Sequence, residues 1–222
     1  MRQLPLDIAT EPARSFESFV PGQNTHAVAH LRQVTQQTAP VFLWGASGVG
    51  KTHLLQATAN HVQQQGGRVA WFDATQPLPW YIEDTVHVVV LDNCDLLDEA
   101  RQHAAFALFI EATTLGIPVL GAARLPPVDL PVRDDLRTRL GWGHVFAVQA
   151  LSEPEARAAL RREADRRGLF LSDEVMDYLL THFARDLKHL MTLLDRLDEF
   201  ALVHKRAITV PLLKQMLTEE GP

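Results

Sequence analysis

The chain has 222 residues, 46% of them hydrophobic and 22% charged, with a formal net charge of −6. At about 100–200 residues per domain this allows one domain plus a small appendage or one two-lobed domain, and it excludes a disordered, collagen-like or fibrous chain. The charge is spread as 10 basic and 14 acidic residues over 1–150 and 11 and 13 over 151–222, so neither part has the basic excess of an autonomous DNA-binding domain, and strong direct DNA binding is not expected.

In chain order, residues 1–15 are polar, contain Pro5 and Pro12, and read as a mobile tail; they lack the apolar stretch of a secretory signal. Residues 16–150 then alternate strand-like runs with helical segments. Val41–Trp44 reads as a short buried strand ending in glycines, Thr52–Gln65 as a helix closed by Gly66 and Gly67, and Arg68–Phe72 as a second strand. Val86–Leu91, Ile117–Leu120 and Val145–Val148 are the third, fourth and fifth strands. Apolar strands separated by helices are the pattern of a parallel sheet covered on both faces, so the fold class is α/β. The longest apolar run, Val86–Leu91, is far short of the ~20 residues of a membrane helix. With Cys94 as the single cysteine, no internal disulfide forms, which suits a cytoplasmic location with no membrane partner.

From residue 151 the pattern becomes helical. Ser152 and Glu155 form a capping box with Pro154 in the first turn, opening a helix that Gly168 stops after Arg167. Ser172 caps a second helix, Asp186 to about Val203 forms a third, and Thr209 with Pro211 opens a fourth. The expected organisation is thus a tail (1–15), a nucleotide-binding αβα domain (16–150) and a small helical lid (151–222).

The sharpest signal is Gly45-Ala46-Ser47-Gly48-Val49-Gly50-Lys51-Thr52, which fits G-x-x-x-x-G-K-[ST] between a strand and a helix. The glycines let successive backbone N–H groups converge on phosphate oxygens, and the helix N-terminus adds positive potential. Lys51 neutralises β- and γ-phosphates, and Thr52 offers a hydroxyl to Mg²⁺. Asp92, at the end of the Val86–Leu91 strand, is the second expected Mg²⁺ ligand. Asn93 follows, where a carboxylate would orient the attacking water; a neutral amide is a poor base, so hydrolysis at this site is expected to be slow. Asp95 substitutes only if its loop turns it inward. Cys94 is expected to be a buried structural thiol, and His53 a packing residue.

Phe16-Glu17-Ser18-Phe19-Val20-Pro21-Gly22-Gln23-Asn24 resembles the F-x-x-F-V-x-G-x-N segment that precedes the phosphate loop in the bacterial replication initiator DnaA, and Val41 through Ala57 resembles its loop and following helix. The likeness implies the AAA+ fold, an αβα nucleotide domain with a helical lid, and ADP or ATP with Mg²⁺ as ligands. Without a helix-turn-helix segment after the lid, the chain is most similar to the DnaA-related regulatory proteins that inactivate the initiator. The resemblance places Val20, Pro21 and Gly22 beside the adenine. Leu136-Arg137-Thr138-Arg139-Leu140-Gly141-Trp142-Gly143 resembles the family's L-x-S-R-[FL]-x-x-G box and makes Arg139 an arginine finger acting on a neighbour's ATP; the plainer reading pairs Arg139 with Asp134 or Asp135. Lys188 aligns with the lid's sensor-2 arginine, where a point charge replaces a planar fork. In Val119-Leu120-Gly121-Ala122-Ala123-Arg124 the usual polar sensor at the strand end is missing, so the site is expected to bind nucleotide better than it hydrolyses it.

Gln3-Leu4-Pro5-Leu6-Asp7-Ile8 resembles the short motif by which bacterial proteins dock on the DNA polymerase sliding clamp: alternate apolar side chains enter a pocket, Gln3 anchors, and Pro5 lowers the ordering cost. The expected partners are therefore DnaA and the clamp, with homo-oligomers left open. The expected function is negative regulation of replication initiation, by stimulating hydrolysis of DnaA-bound ATP. A helicase-loader ATPase of the DnaC type and a non-catalytic DnaA-like adaptor are the alternatives.

Overall fold

The computed structural model describes residues 14–183 and 187–220, and they fall into two compact units whose main division follows Val148, with Ser47–Val49 grouped with the second. In the first, a five-stranded sheet is built from β1 (Val41–Trp44), β2 (Arg68–Phe72), β3 (Val86–Leu91), β4 (Val119–Ala123) and β5 (His144–Ala147), in the order β2-β3-β4-β1-β5. The strand pairs are all parallel. Strand alternation sends Phe42, Val89 and Leu91 to one face, where they join Phe109, Leu136 and Leu140 in a buried cluster. Those last three belong to α3 (Glu99–Thr114) and α4 (Asp134–Leu140). The opposite face is covered by α2 (Lys51–Gln64), beside which lies α1 (Thr25–Leu31).

The fourth strand differs from its expected span: it starts at Val119, not Ile117, and runs on to Ala123. Ile117 is already committed, its N–H donating to Ala112 O at the end of α3 (2.8 Å), and Pro118 has no N–H to give. At the far end Gly121, Ala122 and Ala123 have weak strand propensity but are wholly buried. A Cβ on Gly121 would stand 2.7 Å from the Phe42 ring, so small residues are what this central strand admits. β5 likewise begins one residue early, at His144, whose N–H donates to Pro40 O (2.8 Å).

The segment before the sheet is fastened to α2. Arg14 Nη1 donates to Gln56 Oε1 (2.7 Å) and Asn60 Nδ2 to Arg14 O (2.8 Å). Phe16 is buried, edge-on to His61 and under the Arg32 guanidinium at 4.8 Å. The His53 ring bonds to Ser15 O (3.0 Å) and packs on Phe19, and burial lowers its pKa; it works as a staple, as expected.

The described residues of the second unit form four helices: α5 (Glu153–Arg166), α6 (Asp173–His182), α7 (Leu187–His204) and α8 (Val210–Glu220). The capping box is present, Ser152 N–H donating to Glu155 Oε2 at 2.8 Å. Leu160, Leu179, Leu193, Leu197 and Leu212 meet in one apolar core. The arginine-rich face of α5 is largely neutralised: Arg157 pairs with Asp177, Arg161 with Asp173, and Arg166 and Arg167 with Glu163. Arg167 also pairs with Asp195, tying α5 to α7.

Hydrogen bonds from Arg166 and Arg167 pull the Glu163 carboxyl down to about 2. A depressed carboxyl stabilises the fold above the ordinary glutamate range and loses that contribution as pH falls through its folded value. Glu163→Gln should therefore lower the unfolding free energy obtained from urea curves at pH 7 by on the order of 1 kcal/mol after allowance for solvent screening. The difference from the parent should shrink as the pH falls from about 5 towards 2, a trend that unfolding curves at stepped pH would show.

Candidate functional site

The site grows from the carboxyl edge of the sheet. β1 lies between β4 and β5, so the chain leaving β1 returns at β2 on the far edge, whereas the chain leaving β4 crosses β1 to reach β5. Neighbouring strands whose connections depart in opposite directions leave a crevice at their carboxyl ends, where α/β sheets take ligands. The phosphate loop begins there, Gly45 N–H donating to Ala123 O at 3.3 Å. Gly48 and Gly50 have φ of 81° and 101°, left-handed values that side-chain-bearing residues rarely adopt. Gly50 then caps α2, whose first-turn N–H groups lack partners within the helix.

Lys51 is only 7% exposed, and its Nζ donates to the loop carbonyls of Gly45 (2.7 Å) and Ala46 (2.8 Å). Burial lowers its pKa, a cost that an anionic ligand would offset. Ala46 and Ser47 are exposed, and Gly48 and Val49 half-buried. A Cβ on Gly50 would lie 2.7 Å from Phe19 Cε2, so the Phe19 ring rests directly on the loop, and Val20, Pro21 and Gly22 follow it in the chain. Pro21 O accepts from Asn24 N–H (2.7 Å), turning the chain into α1.

Thr52 and Asp92, forty residues apart, meet: Thr52 Oγ1 donates to Asp92 Oδ2 at 2.8 Å. Asp92 is 3% exposed, its other oxygen accepts from Asn93 N–H (2.9 Å), and burial raises its pKa. A hydroxyl and a buried carboxylate at hydrogen-bond distance, next to a phosphate-binding loop, are a donor set that fits Mg²⁺, which takes hard oxygens and shares them with phosphate. Asn93 is left-handed (φ 52°) and opens a short 3₁₀ turn. That turn does not make Asp95 a substitute base. Its side chain, 3% exposed, is bound by Arg124, whose Nε pairs with one carboxylate oxygen and whose backbone N–H donates to the other at 3.3 Å. Arg124 directly follows Ala123 and is 59% exposed. Cys94 is buried, its Sγ donating to Leu91 O, with its pKa pushed up to about 12 by burial.

Arg139 lies in α4, apart from these groups. Among the described residues it has no carboxylate partner, because Asp134 pairs with Arg137 (3.0 Å) and Asp135 with Arg133 (2.6 Å). Its guanidinium stands instead over the Trp142 ring, 5.3 Å from the centroid. Two features escaped the sequence reading, the Asp95–Arg124 pair and the Trp142 contact; the second had a signal, since Arg139 and Trp142 are three residues apart at a helix end. Lys188 is in the first turn of α7, with its side chain outside the described residues, and Gln3–Ile8 also lie outside them. No helix among the described residues is long and apolar enough to cross a membrane.

Residues 11–87 match the bacterial DnaA ATPase domain family, and residues 153–217 match the family described as Hda, lid domain. Domain III of the replication initiation protein DnaA from Thermotoga maritima has a similar structure, with a TM-score of 0.80 at 20% identity over 94% of this chain and 97% of that one. AMPPCP-bound DnaA from Aquifex aeolicus is similar at a TM-score of 0.70 and 23% identity, covering 83% of this chain and 64% of that chain. The Thermotoga maritima RuvB Holliday junction branch migration motor shares the fold at 0.70 and 16% identity, over 94% of this chain and 74% of that one. Residues 11–87 are thus similar to the DnaA ATPase domain and residues 153–217 to the Hda lid domain, and the fold is that of DnaA domain III.

Proposed function

We propose that this protein is a nucleotide-binding regulator of replication initiation that presents Arg139 to ATP bound on DnaA and so stimulates its hydrolysis, while Gln3–Ile8 hold it on the sliding clamp. One contrast carries the reading. Arg139 is a cation with no carboxylate partner among the described residues, whereas the protein's own site has Asn93 in place of a base and has Asp95 bound to Arg124. A fixed guanidinium beside a triphosphate neutralises charge that grows in the transition state and is worth roughly 10³–10⁵ in rate.

The protein's own nucleotide is ADP or ATP. Supporting this are the complete phosphate loop, Lys51 buried beside it, and two similar DnaA structures that hold AMPPCP. Val20–Gly22 border the base, and the N–H groups of 45–52 and Lys51 take the phosphates. Thr52 and Asp92 would hold Mg²⁺, which would supply charge neutralisation to the phosphates. This nucleotide is structural or regulatory in role, because among the described residues Asn93 is a neutral amide and Asp95 is bound to Arg124.

Lys51→Met should lower ATP and ADP affinity by about tenfold or more, since the loop loses its point charge, and titration calorimetry measures it. Arg139→Ala should leave that affinity unchanged and cut stimulated turnover of DnaA-bound ATP by at least about a hundredfold. Removal of residues 1–8 should abolish stimulation on clamp-loaded DNA without changing nucleotide affinity. Turnover by the protein alone at the rate of a competent ATPase, together with helicase binding, would favour the helicase-loader reading. Clamp binding without any effect on DnaA-bound ATP would favour the adaptor.

A further inference from the structure

We infer that Trp142 is a positioning residue that aims Arg139, holding the cation in direction without neutralising it; this rests on the reading of Arg139 as the group offered to a partner's triphosphate. Trp142 is 64% exposed, an unusual place for an indole with no role in the core. Its backbone is fixed on both sides. Gly141 ends α4 with its N–H on Arg137 O (3.1 Å), and Trp142 N–H folds back on Arg139 O (3.2 Å). A Cβ on Gly141 would meet Pro127 Cβ at 3.2 Å, and one on Gly143 would stand 1.9 Å from Pro40 O. The turn that carries the indole is therefore clamped against neighbouring chain, and α4 is anchored through buried Leu136 and Leu140.

Phe106, Asp135, Thr138, Arg139 and Trp142 line one open hollow of about 430 Å³. Asp135 is the acid that could claim Arg139 there, but its oxygens already accept from Arg133 Nε (3.1 Å), Arg133 Nη2 (2.6 Å) and Leu136 N–H (2.7 Å). The chemistry favours this arrangement for a cation meant for phosphate. A carboxylate would orient the guanidinium but occupy its donors and cancel its charge, so an incoming phosphate would have to displace it. An aromatic face attracts the guanidinium weakly and consumes no N–H donor.

The test uses the full-length protein with Trp142→Ala and Trp142→Phe. In its partner-free arm, the Arg139 Nε–Hε resonance is followed by NMR. The parent should show a ring-current shift that Trp142→Ala removes and Trp142→Phe largely keeps. In its kinetic arm, Trp142→Ala should lower the maximal stimulated rate on DnaA-bound ATP about threefold to tenfold, as loss of a cation–π contact implies, with an unchanged half-saturating concentration and recovery in Trp142→Phe. An Arg139 resonance that ignores both substitutions, or a loss seen only in the half-saturating concentration, would overturn the inference and make the indole a docking residue. If Arg139→Ala itself is silent, the proposed function falls and this inference with it; if only Trp142→Ala is silent, this inference falls alone.

Discussion

Everything at the candidate site follows from where β1 sits. Its parallel pairing between β4 and β5 puts the start of the phosphate loop, the end of β4 and the end of β3 on one edge of the sheet. The bond from Gly45 N–H to Ala123 O is the joint, because it fixes the loop to the strand whose next residue is Arg124. One strand further, Asp92 accepts from Thr52 and closes the edge. The small residues of β4 make this possible: with a larger side chain at Gly121, Phe42 would have to move and the central pair would part.

The buried groups along that edge suit an anionic ligand. Lys51 is buried against loop carbonyls, and Asp92 is buried against a hydroxyl; both carry desolvation costs that phosphate and a divalent cation would offset together. The groups that would take a proton from water are neutral (Asn93) or bound to an arginine (Asp95). On α4 the logic is reversed. Among the described residues Asp134 and Asp135 each pair with another arginine, and the Arg139 guanidinium lies over an aromatic face.

Much of this was legible in the residues. The strands at 41–44, 68–72 and 86–91 announce themselves as apolar runs, and the Ser152–Glu155 box and the glycine-rich loop have spacings tied to one local geometry. What was hidden depends on pairings distant in sequence. β4 was read too short because Gly121-Ala122-Ala123 looks like a strand's end when only propensity is weighed, and burial under Phe42 decides otherwise. The surroundings of Asp95 are not written locally, because its partner Arg124 is twenty-nine residues away. The choice between a free Arg139 and one tied to Asp134 or Asp135 required knowing that Arg137 and Arg133 take those acids first.

The most direct measurement of the central claim labels one nucleotide at a time. Radiolabelled ATP is bound either to DnaA or to this protein, the two are mixed with clamp on DNA and unlabelled nucleotide in excess, and a single turnover is followed. The account predicts rapid loss of the label carried by DnaA and persistence of the label carried by this protein. The reverse pattern would show that Arg139 serves no partner and that the site behind Lys51 is itself the catalyst.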